Sequence, residues 1–161
     1  MISELREVIG FRGEKILELC LTDYRAFPKP LFKPGFLGDK WPAIDYYVEL
    51  TSVRGKRLYF FAQAKATRAH LAPAQTELAI STKKKDIERL LRIPGPTYIF
   101  GIHEPSKRVF VRSVHSGVPA RAITRIPFSY ELTSNNLRIL HGEIRDYWAA
   151  NSHKPTSSNF A

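Results

Sequence analysis

Asp45, Gln63 and Lys65 are the residues whose types and spacing best suit a reaction centre. Asp45 lies in an aromatic and β-branched stretch at residues 44–50, and Gln63 and Lys65 interrupt a second one at residues 58–66. A polar turn with Ser52, Arg54, Gly55 and Lys56 separates the two, so an antiparallel hairpin is predicted. Strand side chains alternate between sheet faces, which puts Asp45, Tyr47 and Glu49 on one face of their strand and Phe61, Gln63 and Lys65 on one face of theirs. A turn centred on Arg54 sets Asp45 opposite Gln63, and one centred on Gly55 sets it opposite Lys65; a two- or four-residue loop without a bulge separates them. A lysine buried unpaired among Tyr59, Phe60, Phe61, Ala62, Ala64 and Ala66 loses hydration at a cost of several kcal/mol. One way to offset it is to snorkel to solvent or to pair with Glu49 or Asp45. The other is a site where carboxylate, amide oxygen and ammonium converge on a metal ion and a phosphate, with Asp45 and the Gln63 oxygen or a main-chain carbonyl as ligands for a hard cation such as Mg²⁺.

The elements that must position these groups follow from periodicity. Apolar residues at three- and four-residue spacings predict a helix over residues 4–24, which Gly13 interrupts, a sign of close backbone approach to another element beside Glu14. Four prolines and two glycines between residues 27 and 42 exclude a helix there and leave extended segments, with a short strand at residues 31–33. A helix is predicted over residues 83–91, capped by Ser81 or Thr82 and stopped by Pro94, Gly95 and Pro96. A second hairpin follows, with strands at residues 97–103 and 108–113, then a helix over residues 134–149 with Leu137, Leu140, Ile144 and Trp148 on one face. The sum is an α/β fold, a mixed central β-sheet with flanking helices, in one domain over residues 1–150 with a flexible tail at 151–161. Tyr46, Tyr47, Tyr59 and Phe61 read as core aromatics.

The bulk composition narrows the partners. The chain has 161 residues with 43% hydrophobic content, enough for one continuous core. Twenty-five Lys and Arg against 15 Asp and Glu give a formal charge of +10, which suits a polyanion because neutralised phosphates release counterions. Arg54, Lys56 and Arg57 at the hairpin tip, and Lys83, Lys84 and Lys85 near a helix start, are the candidate phosphate contacts. The single Cys20 excludes an intrachain disulfide and a cysteine-rich metal knuckle, and sits in apolar company as a buried thiol. The five histidines lack zinc spacing, and neither a P-loop nor a dinucleotide fingerprint is present. With no signal-peptide pattern and no apolar run of membrane-spanning length, a cytoplasmic location without membrane contact is expected.

Asp45 followed across a hairpin by Gln63-Ala64-Lys65 resembles the Asp…(Glu/Gln)-x-Lys signature of the PD-(D/E)XK nuclease superfamily, in the Gln-x-Lys form of Mrr-like restriction endonucleases. Arg12-Gly13-Glu14, Trp41-Pro42-Ala43-Ile44-Asp45, Gln63-Ala64-Lys65-Ala66-Thr67 and the stretch at residues 90–102 are similar to a family of bacterial domains of unknown function in that superfamily. The resemblance covers roughly residues 10–115. It implies a restriction-endonuclease-like fold and a metal-dependent nuclease acting on DNA with Mg²⁺ or Mn²⁺. By the same resemblance Glu14 is the helix carboxylate completing the site, Asp45 the central metal ligand, Gln63 the substituted ligand and Lys65 the catalytic lysine. An uncharged amide at Gln63 binds Mg²⁺ less strongly than a glutamate would. The alternatives are a catalytically silent nucleic-acid-binding domain and a regulatory module that meets a protein partner; a homodimer is compatible with any of the three.

Overall fold

Alternating apolar residues in five segments build one mixed sheet, and the helices between them cover its faces. The computed structural model describes residues 2–117 and 119–151. The elements run α1 (Ile2–Leu21), β1 (Phe32–Phe36), β2 (Tyr46–Leu50), β3 (Tyr59–Thr67), β4 (Glu77–Ala79), α2 (Lys84–Leu91), β5 (Thr97–His103), β6 (Arg108–Ser113), β7 (Arg125–Pro127) and α3 (Ser134–Asn151). The sheet order is β1-β2-β3-β5-β6, antiparallel throughout except for the parallel pair β3–β5. The expected mixed α/β architecture is therefore present, with both hairpins and all three helices close to their expected places. The expected tail falls outside the described residues from 152 onward, and Asn151 still belongs to α3.

Two cores sandwich the sheet. On one face Leu17 and Leu21 of α1 and Leu137, Leu140 and Ile144 of α3 pack on Phe60, Ala62, Phe100 and Ile102. On the other, Ile87 and Leu90 of α2 join Leu78 and Ile126 of the β4–β7 pair over Ile99 and Phe110. Burying one large aliphatic side chain stabilises by about 1.5–3 kcal/mol, so these two layers hold the sheet between them. The second layer was not legible as strands: β4 and β7 have three residues each, too few to show an alternating period. Gly101 admits them closely, because a Cβ there would stand 2.9 Å from Leu78 Cδ2.

Gly13 does what its place inside a helix suggests. A Cβ at that position would lie 2.5 Å from Ala66 Cβ, so α1 crosses β3 at backbone contact. This contact also fixes sides. Ala62, Ala64 and Ala66 face α1, and alternation sends Gln63 and Lys65 to the opposite face of β3.

Candidate functional site

The β2–β3 ladder runs from Glu49 opposite Tyr59 to Tyr46 opposite Ala62, so its midpoint is Arg54. Of the two registers open from sequence, this is the one that, continued by one pair, would set Asp45 opposite Gln63; the ladder itself ends at Tyr46 opposite Ala62. The connection is longer than a three-residue turn, spanning residues 51–57 after the last hydrogen bond from Leu50 N–H to Leu58 O. β2 stops at Tyr46 while β3 continues to Thr67, and beyond Ala62 β3 has only β5 as a paired strand.

Asp45 stands at that break. Ala43 takes a positive φ of 68°, and Ile44 turns into the α2-side core rather than continuing the alternation toward α1. The Asp45 N–H still donates to Ala62 O at 2.9 Å, and its Oδ2 accepts the Ala64 N–H at 2.7 Å. A carboxylate thus takes the place of the next ladder carbonyl. Its own main-chain oxygen accepts the Leu37 N–H at 2.8 Å, which ties the segment after β1 to the same point.

Gln63 is 3% exposed, and its Oε1 has no hydrogen-bond partner among the described residues. An unsatisfied buried acceptor costs about 1–3 kcal/mol, so the position asks for a donor or a cation. Lys65, two residues on and on the same face, is half-buried. Glu14 comes from the other side of the sheet. The buried Tyr46 hydroxyl shares its proton between Glu14 O at 3.1 Å and Glu18 Oε1 at 3.0 Å. Burial, the Glu18 hydrogen bond and then the charges of Glu18, Glu14 and Asp45 all push this phenol well above its ordinary pKa, which sets both Glu14 and Asp45 in its electrostatic neighbourhood.

Asp45 and Gln63 together offer oxygen donors only, which fits a hard divalent cation that keeps several of its waters. The buried, unpartnered Gln63 oxygen is the structural feature that such an ion would satisfy. Among the described residues no group of three or more His, Cys, Asp or Glu side chains is arranged to hold a metal, so any donor set here depends on the amide.

The basic candidates lie apart from this centre. Arg54, Lys56 and Arg57 are exposed, but at the opposite end of the hairpin, separated from Asp45 by the length of β2, about 17 Å. Lys83, Lys84 and Lys85 are exposed at the start of α2. The expected cap by Ser81 or Thr82 is absent: Lys83 occupies the N-cap without a side-chain bond. Thr82 Oγ1 instead donates to Ile123 O and accepts the Ile123 N–H, both at 2.7 Å, pinning the chain just before β7.

Beside the site, one group carries no signal in the sequence and one departs from its expected core position. Glu104, expected only as a turn residue, is buried and paired with Arg12 Nε at 2.5 Å and Arg68 Nε at 3.5 Å. This clamp fastens the Arg12-Gly13-Glu14 turn of α1 to the ends of β3 and β5. Its partners are 92 residues apart, a separation that no local pattern signals. The second is the aromatic set. Tyr46 is core, whereas Tyr47, Tyr59 and Phe61 are only half-buried on the face away from α1. In comparisons with known proteins, no family model, no curated protein and no solved structure matches the chain.

Proposed function

We propose that this chain is a metal-dependent nuclease of restriction-endonuclease-like fold that hydrolyses DNA phosphodiester bonds. The observation that carries the reading is the buried, unpartnered Gln63 Oε1 on the strand next to the Asp45 carboxylate. Asp45 and Gln63 would hold Mg²⁺ or Mn²⁺ with water completing the shell, because Glu14, the third donor that the resemblance implies, is carried by α1 across the sheet from Gln63. Such an ion supplies charge neutralisation at the phosphate and acidifies water. Lys65 shares the Gln63 face of β3, where its side chain would orient the attacking water and stabilise charge developing on phosphate oxygens. Asp45 is fixed by the Ala64 amide, so its carboxylate needs little reorganisation. The formal charge of +10 favours a polyanionic substrate. No helix among the described residues is long and apolar enough to cross a membrane, and a lone cysteine suits the reducing cytoplasm, where we place the protein.

The second reading is a catalytically silent nucleic-acid-binding domain, favoured by the uncharged Gln63 and by the lack of a three-carboxylate cluster among the described residues. Incubation of wild type with single-stranded and duplex DNA, with and without Mg²⁺ or Mn²⁺, separates the two. Metal-dependent cleavage that Lys65→Ala abolishes supports the nuclease. Binding without cleavage under every condition supports the silent domain.

A further inference from the structure

The sheet face that carries Gln63 and Lys65 is covered unevenly. The α2 and β4–β7 layer packs over β5 and β6 and reaches Phe61 of β3, while Tyr47 and Tyr59 farther along the β2–β3 half are only half-buried. Trp41 stacks on Phe61 with centroids 6.4 Å apart and planes 19° from parallel. Tyr47 lies 5.9 Å from Phe61 and 5.1 Å from Tyr59, and Tyr59 lies 4.7 Å from Trp148. Trp148 is held in place by donating its indole N–H to Tyr59 O at 2.8 Å. A groove of about 580 Å³ runs along Trp41, Phe61, Tyr59 and Trp148, with Arg92 and Tyr147 on its wall. Both tryptophans of the chain line it.

Trp41 is 54% exposed, an unusual position for the largest side chain unless something lies against it. The flanking charge is cationic. Arg92 is exposed at the groove, Arg57 lies close enough for its charge to act on the Tyr47 phenol, and Arg54 and Lys56 continue the basic edge at the adjoining hairpin tip. Glu49, which also acts on Tyr47, is the opposing charge on this face of β2.

We infer that this groove binds single-stranded nucleic acid, with bases stacked on Trp41 and Phe61 and phosphates on Arg92 and the hairpin-tip cations. Aromatic faces beside a basic edge are the chemistry of single-strand recognition, because an unpaired strand offers base faces that a duplex hides. Phe61 precedes Gln63 by two residues on the same face, about 7 Å along the strand. A strand that continues past Phe61 along β3 would approach the end of the sheet where Gln63 and Asp45 lie, although neither lines the groove. Only this last step rests on the nuclease reading, and it makes single-stranded DNA or an unpaired flap the substrate class.

The test is binding of the full chain to fluorescein-labelled dT20, to rU20 and to the dT20–dA20 duplex in EDTA, followed by label anisotropy and by tryptophan fluorescence. The expected result is binding of dT20 or rU20 at least about tenfold tighter than the duplex, with tryptophan quenching. Trp41→Ala should weaken it about five- to a hundredfold, the worth of one stacked base, with the folded circular-dichroism spectrum retained and only the modest loss of melting temperature that goes with the Phe61 stack. Arg92→Ala, which removes no ring, should weaken binding and flatten its salt dependence. Equal or tighter duplex binding, absence of quenching, or indifference to both substitutions overturns the groove. Tight dT20 binding without cleavage in Mg²⁺ or Mn²⁺ refutes the nuclease and leaves the groove standing. Duplex cleavage that Trp41→Ala does not impair does the reverse.

Discussion

Ala64 gives its main-chain N–H to Oδ2 of Asp45 at 2.7 Å, at the point where the β2–β3 ladder ends. One carboxylate therefore serves the fold and the candidate chemistry together, and two substitutions separate these roles. Asp45→Asn keeps an acceptor for Ala64, so it should retain the melting temperature while losing metal-dependent cleavage. Asp45→Ala leaves the Ala64 amide unpartnered and should cost about 1–3 kcal/mol in urea denaturation. Equal stability of the two variants would remove the structural role.

Gln63 yields a contrast of opposite sign. Replacing its unpartnered buried oxygen with the similarly sized side chain of Met should leave metal-free stability unchanged or raise it by about 1–2 kcal/mol. The same Gln63→Met change should abolish any rise in melting temperature that Mn²⁺ gives the wild type. Gln63→Glu should strengthen that rise and increase cleavage. A Gln63→Met protein that is destabilised in EDTA would show that the amide already has a partner.

Gly13 weighs two effects against each other. Gly13→Ala gains about 1 kcal/mol of helix propensity, yet its Cβ would stand 2.5 Å from Ala66 Cβ, between two backbones that cannot swing aside. Overpacking of this kind costs about 1–3 kcal/mol, so the net change should be destabilising. The double variant Gly13→Ala with Ala66→Gly should recover most of the loss, as read by denaturant midpoint.

Cys20 is partly buried in α1, with Sγ 3.8 Å from Leu132 O. Burial first, then the charges of Asp23 and Glu131, push its thiol up to about 12 from 9.0. The native thiol should therefore react slowly with iodoacetamide at pH 8.5 and rapidly in urea. A proton held more tightly by the native state stabilises fully below pH 9, and that contribution falls away as the pH rises from 9 toward 12. The buried Tyr46 and Tyr98 phenols, raised mainly by burial and then by Glu18 and Glu143, act in the same direction. Stability that increases above pH 9 would contradict all three.

The hairpins and helices were legible because their apolar residues repeat over enough length to show a period. The same parity left the Asp45 register open between two partners, and the residues 51–57 connection resolved it through pairings that no turn motif encodes. What stayed hidden depends on contact at a distance. Glu104 is buried because Arg12 and Arg68 reach it from other elements. Thr82 leaves the helix cap because Ile123 offers both a donor and an acceptor. Tyr47, Tyr59 and Phe61 have core composition, yet of the three only Phe61 packs against the α2-side core, and all remain half-buried.

The central claim is that Asp45 and the Gln63 oxygen hold a divalent cation. Crystals soaked in Mn²⁺ and measured at its absorption edge test this directly. An anomalous peak within about 2.0–2.4 Å of an Asp45 carboxylate oxygen and Gln63 Oε1 is the expected result, and Gln63→Met should erase it. A map with no peak at these two residues, or with Gln63 Oε1 bonded to a protein donor, would contradict it.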